Sequence, residues 1–111
     1  MAIKANLVID QGTDFSAAIN IEDDDGNVFS LSGYEAAAQM RKNYASSSAT
    51  SFDVEIDTQV EGQINLSMNN SVTSLLEPGR YLYDVEIDSP SGVITRVVEG
   101  IVTVTPGITR F

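Results

Sequence analysis

The sequence predicts an all-β sandwich of about seven antiparallel strands, on three observations. Apolar residues recur mostly at a period of two. Turn residues punctuate the chain roughly every 8–12 positions, the spacing of short sandwich strands. No stretch carries a helical period long enough to make a packing helix.

The elements follow in order. Ile3 to Asp10 (IKANLVID) reads as the first strand, its mixed pattern suiting an edge strand or one that switches sheets. Phe15 to Ile21 places Phe15, Ala17, Ile19 and Ile21 on one face. The segment IEDDDGNVF then holds an Asp-Gly turn between apolar flanks, a hairpin signal. Tyr34 to Tyr44 is ambiguous, because Ala36, Ala37 and Ala38 also favour helix. As a strand it sets Ala36, Ala38, Met40 and Lys42 against Ala37, Gln39 and Arg41. The small, polar run Ala45 to Ser51 (ASSSATS) is an exposed loop. Phe52 to Thr58 and Gln63 to Met68 are strands joined by a Glu61-Gly62 turn.

Before the sixth strand, Asn70 is placed to cap a short helical turn running to Leu76, with Val72, Leu75 and Leu76 packing inward. Pro78-Gly79 ends it. Arg80 to Asp88 and Val93 to Thr105 form the last hairpin. A loop from Ser89 to Val93 would set Glu86 opposite Arg96 and Val85 opposite Val97, and Gly100 reads as a bulge. The expected core is Phe15, Ile19, Phe52, Val54, Ile56, Ile64, Leu66, Tyr81, Tyr83, Val85, Ile87 and Val97.

One motif sharpens the fold. Glu77-x-Gly79-x-Tyr81-x-Tyr83, entering a strand after a helical turn, resembles the tyrosine corner of immunoglobulin-like sandwiches. Tyr81 is then the corner residue, whose hydroxyl bonds backbone upstream. Tyr83 stands where antibody domains place their second cysteine. The chain has neither Cys nor Trp, so the resemblance implies Ig-like topology without a disulfide–tryptophan core.

Two hexapeptides, FDVEID (52–57) and YDVEID (83–88), each line up three carboxylates at alternate positions. In a strand, alternate residues share a face, so Asp53, Glu55 and Asp57 point away from Phe52, Val54 and Ile56. The same separates Asp84, Glu86 and Asp88 from Tyr83, Val85 and Ile87. A carboxylate pair working as acid and base needs unequal environments, which a solvated strand face does not supply. The preferred reading is one amphipathic strand device used twice.

The Asp23-Asp24-Asp25-Gly26-Asn27 turn fails the EF-hand template, because Ile21 and Ser32 would fall on the first and last ligand positions. A looser surface calcium site on Asp23 and Asp25 is the alternative to a solvated hairpin tip.

Composition bounds the function. The 111 residues suit a single domain over 1–111, with 105–111 as a C-terminal tail. Sixteen acidic residues against six basic ones give a net charge of −10, which repels nucleic acid and anionic membrane surfaces. With no His and no Cys, the commonest general base, nucleophilic thiolates and most metal-ligand sets are absent. No catalytic or cofactor-binding residue is assigned, and the expectation is a non-enzyme. No secretory signal and no membrane span is legible, so synthesis in a cytoplasm is expected.

Three stretches, AIKANLVIDQGTDFSAAINI, LSGYEAAAQMRKNY and PGRYLYDVEIDSPSGVITRVVEGIVTVTPGITR, together cover most of the chain. In them the chain resembles small virion structural proteins of tailed bacteriophages, especially those of marine cyanobacteria. A looser likeness is to the N-terminal domain of baseplate upper proteins. The resemblance implies an Ig-like particle component at the capsid, neck, baseplate or fibre, without catalytic residues. Its expected partners are other virion subunits, with self-association in a particle as an option. Both ends carry apolar residues that a solvated tail does not need, and Met1, Ile3, Ile108 and Phe111 are the expected interface. The reading from a different class is a carbohydrate-binding or adhesion module, with Tyr34 and Tyr44 stacking on sugars.

Overall fold

A computed structural model describes residues 3–23, 25–43 and 45–109. Its strands are β1 (Ile3–Lys4), β2 (Leu7–Asp10), β3 (Phe15–Asn20), β4 (Glu35–Arg41), β5 (Thr50–Ser51), β6 (Asp53–Ile56), β7 (Gln63–Met68), β8 (Gly79–Asp88) and β9 (Ile94–Thr105), with a short helix α1 (Asn70–Thr73) before β8. One sheet runs β1-β9-β8-β4-β5, with β2 also on β9, and the other runs β3-β7-β6. Taking β3, β4, β6, β7, β8 and β9 as B, C, D, E, F and G gives sheets B-E-D and C-F-G, the arrangement of an Ig-like sandwich.

Among the described residues nine strands replace the expected seven, for local reasons. The first expected strand keeps one register on β9 but breaks at Ala5–Asn6. There the Asn6 side chain, not a backbone carbonyl, accepts the Ile101 N–H at 3.0 Å. The loop expected over 45–51 closes with a two-residue strand, because Thr50 and Ser51 pair with Met40 and Gln39. The sandwich is also not antiparallel throughout. Both β1 and β2 run parallel to β9, since the chain entering the domain lies beside a strand that comes last and follows the same direction.

The core fills the space between the sheets. Ile19, Ile64, Leu66 and Met68 face Ile9, Met40, Tyr83, Val85, Val98, Val102 and Val104, all buried. Phe52 is buried where the chain crosses from one sheet to the other. Its ring centroid lies 6.0 Å from both Phe15 and Tyr83, and its N–H donates to Ala38. Nine of the twelve expected core residues are buried, while Phe15, Val54 and Ile56 are half-buried against them.

The last hairpin keeps the expected Ser89–Val93 loop and the Glu86–Arg96 pair, but Val85 lies opposite Val98. The register slips between Val85 and Glu86, making Val97 the extra residue of a bulge. Val97 and Val98 are therefore both buried, which strict alternation forbids. Gly100, expected to be the bulge, sits in regular register opposite Tyr83. Its glycine serves close approach instead: a Cβ there would press into the Ala5 carbonyl, 2.8 Å from its carbon.

The helix cap also moves by one residue. Asn69, not Asn70, is the N-cap, and its side chain accepts the Val72 N–H at 3.2 Å. Leu75, expected inside, is exposed, while Leu76 is buried and Val72 half-buried. The turn is held over the sandwich end by Thr73 Oγ1, which donates to the Thr13 carbonyl at 2.7 Å, and by Asp14, which accepts the Asn70 N–H at 2.8 Å.

Candidate interaction surfaces

The tyrosine corner forms as expected. Tyr81 is buried and its hydroxyl donates to the Glu77 carbonyl at 2.8 Å. The Lys42 ammonium stands over its ring at 4.5 Å from the centroid, a cation–π contact. Two residues on, the Tyr83 hydroxyl donates to Ala5 at 2.6 Å, stitching β8 to the entering chain. Burial pushes its pKa up to about 12.

The two acidic hexapeptides diverge in use. Asp53 and Glu55 are exposed as expected. Asp57 is not a free surface charge: it accepts the Val60 and Gln59 N–H groups at 2.9 and 2.8 Å and the Asn65 amide at 3.2 Å. These bonds to Val60, Gln59 and Asn65 hold its carboxyl below the usual range. Asp84 accepts from Arg96 Nε at 3.0 Å, and Glu99 from Arg96 Nη1 at 3.3 Å. Arg96 thus reaches diagonally past its strand partner Glu86, and Asp84 and Glu99 beside it raise its pKa.

Asp23 is engaged at the hairpin tip. Its Oδ1 accepts the N–H groups of Asp25 and Asn27, at 2.9 and 3.0 Å. That carboxylate closes the turn, and no group of three or more acidic side chains converges on a metal-sized site among the described residues. Only an isolated bridge, Glu22–Val28, remains of the expected hairpin, and Val28 folds over Gly62 instead. Gly62 holds φ at +75°, and a Cβ there would meet Val28 Cγ1 at 2.6 Å and the Phe29 carbonyl at 3.0 Å.

Of the tyrosines expected to stack on sugars, Tyr34 packs edge-on against Phe29, with ring centroids 5.6 Å apart. Tyr44 lies outside the described residues, as do Met1 and Phe111 of the expected interface. The other two interface residues are exposed, Ile3 by 48% and Ile108 by 96%. They do not form one patch. Ile3 sits beside Val98, and Asp10 beside Thr105, so the parallel pairing carries the two ends apart. The seven residue steps from Ile3 to Asp10 span roughly 23 Å at about 3.3 Å each.

The tail is anchored up to its exposed residue. The Gly107 N–H donates to Gln11 Oε1 at 3.1 Å, while Gln11 Nε2 donates to the Leu76 carbonyl at 2.8 Å. A Cβ on Gly107 would stand 2.7 Å from the Gln11 carbonyl oxygen, so the tail lies flat on the body there. Ile108 then projects into water.

A feature that sequence reasoning missed lies on the outer face of the larger sheet. A groove of about 570 Å³ runs across four strands there. Register gives its floor as two rows, Arg41–Leu82–Ile101–Asn6 and Gln39–Asp84–Glu99–Lys4. Three strand spacings make it about 14 Å wide. Leu82 is half-buried and Ile101 is 36% exposed at its centre. Arg80 projects from the same face one row further along, between Asn43 and Thr103, with Val8 beyond at 61% exposure. The signal was available in the alternation of β8, whose outward set is Arg80, Leu82, Asp84 and Glu86. It could not be joined to Lys4 and Arg41 without the strand order.

No protein-family model and no curated protein sequence matches the chain. Among solved structures, it is similar to an internalin-like protein of Listeria monocytogenes, with TM-score 0.50 and 13% identity over 94% of this chain and 28% of that one. It is also matched to AggA, the major subunit of aggregative adherence fimbriae type I from Escherichia coli, with TM-score 0.38 and 15% identity over 90% of this chain and 89% of that one. The chain spans little more than a quarter of the internalin-like protein's length. At 13% identity the likeness to the internalin-like protein is one of fold alone.

Proposed function

We propose that this chain is a non-catalytic structural module that works by burying its surface against other protein subunits, and that its setting is the virion of a tailed bacteriophage. Ile108 carries the reading. A tail pinned to the body through Gly107 and Gln11 presents an apolar side chain that is 96% exposed. A side chain of that size contributes roughly 1.5–3 kcal/mol when buried, a gain this domain leaves for a partner to collect. Ile3, half-exposed at the far end of the β9 edge, gives a second contact facing the other way, which suits a subunit set between neighbours. The virion setting is supported by the resemblance of the three long sequence stretches to small phage particle proteins.

Deleting Ile108 to Phe111 tests it. The truncated domain is expected to keep its thermal midpoint within a few degrees and to fail to join particles on assembly. Normal incorporation of the truncated chain would refute the docking role of the tail. The second reading, a carbohydrate-binding module, is favoured by the polar side chains of Asn6, Gln39, Arg41 and Asn43 around the outer groove. Tyr34 is half-buried and packs edge-on with Phe29, and binding on a glycan array is the result that would establish this reading.

A further inference from the structure

We propose that the groove on the outer face of the larger sheet binds a second copy of this chain, through the acidic knob that Glu22, Asp23, Asp25 and Val28 form with the 57–62 turn. The groove is basic in an acidic protein. Of six basic residues, Lys4, Arg41, Arg80 and Arg96 project from this one face. Among the described residues Arg96 alone of them is ion-paired, to Asp84 and Glu99. Lys4, Arg41 and Arg80 therefore surround the apolar floor of Leu82 and Ile101 without carboxylate partners. Four cations less the three carboxylates of Asp84, Glu86 and Glu99 leave this region at +1, and the remainder of a chain at −10 must then carry −11.

The knob has the opposite character. Val28 lies on Gly62, and Val60 sits two residues earlier in the same turn, exposed by 58% and 47%. Glu22, Asp23, Asp25 and Glu61 ring them, all exposed. An apolar centre rimmed by carboxylates thus matches an apolar floor rimmed by cations, on separate parts of one molecule. Such a contact is heterologous, so it propagates from copy to copy into a ring or filament.

Net repulsion does not forbid it. The domain measures 43 × 32 × 22 Å, so the centres of two touching copies lie at least about 22 Å apart. At physiological salt the Debye length is about 8 Å, so the −10 charges are largely screened while pairs in contact are not. At about 0.01 M salt the screening length grows to roughly 30 Å, and the same association should weaken.

This inference rests on the reading of the chain as a docking module and goes further by naming the partner. The test is sedimentation of the purified chain up to about 1 mM at about 0.15 M salt, a range that reaches weak pairs. Association that grows with concentration is expected. Lys4→Glu with Arg80→Glu should weaken it roughly tenfold, since each rim charge is reversed and neither residue holds the fold. Asp25→Lys with Glu61→Lys should do the same, and mixing the two double variants should restore pairing between them. A monomer throughout the range, unchanged association in both variants, or failure of the mixture to pair would overturn the contact. So would loss of association on deleting Ile108 to Phe111, which would place the contact in the tail. Incorporation of the two charge variants into particles tests the docking role separately, because a tail-mediated subunit would still be incorporated.

Discussion

Gly100→Ala is the most revealing single change in this domain. The new methyl would stand against the Ala5 carbonyl, 2.8 Å from its carbon and 3.1 Å from Asn6 Oδ1. That carbonyl is backbone and cannot swing aside as a flexible side chain would. It also accepts the Tyr83 hydroxyl, and Asn6 Oδ1 accepts the Ile101 N–H, so moving either strains a second bond. Overpacking of this kind costs about 1–3 kcal/mol. Leaving the buried Tyr83 hydroxyl without an acceptor adds roughly 1–3 kcal/mol. The expected total is about 2–5 kcal/mol, a large fraction of the stability of a small domain. Urea unfolding followed by far-ultraviolet circular dichroism measures it, since the chain has no Trp. Tyr83→Phe supplies the internal check. It removes only the hydroxyl, so it should cost about 0.5–1.5 kcal/mol alone. Because both changes act through Ala5, the double variant should cost less than their sum by about 1 kcal/mol. A Gly100→Ala cost below roughly 0.5 kcal/mol, or strict additivity with Tyr83→Phe, would refute the packing argument.

Val85→Ala should cost about 1–3 kcal/mol because Val85 is fully buried, while Glu86→Ala, exposed on the same strand, should cost little; comparable losses would show the facing of β8 to be wrong. Asp57 has its folded pKa lowered by the Val60 and Gln59 N–H groups, so its contribution is present above the ordinary value near 3.9 and is lost as pH falls through the lower folded value. Urea midpoints should therefore drop below about pH 4 more steeply in the native chain than in Asp57→Asn, and parallel curves would contradict this. Tyr83, raised by burial to about 12, contributes stability that is complete below the ordinary value of 10.0 and is lost as pH rises towards 12. Spectrophotometric titration of the folded chain should show a late-ionising tyrosine that disappears in Tyr83→Phe.

How much was legible in the residues depends on the range of the interaction that decides each feature. Alternation placed Phe52, Ile64, Leu66, Tyr83, Val85 and Ile87 in the core, because the period of two is a property of each strand alone and burial only selects the face. The helical turn and the tyrosine corner were legible too, as their bonds close within four residues, from Glu77 to Tyr81. Charge alone set the acidic surface. What only tertiary structure decided comes from pairs distant in the chain. The Gly100 contact with Ala5 and the parallel seating of β1 and β2 on β9 both join the two termini. No local propensity records which distant carbonyl a glycine must admit. The groove has the same origin: Lys4, Arg41 and Arg80 lie on three strands, and only the order β1-β9-β8-β4 makes them neighbours. A strand states its own two faces in its sequence, but which strands share a face is settled by how the sheets assemble around the core.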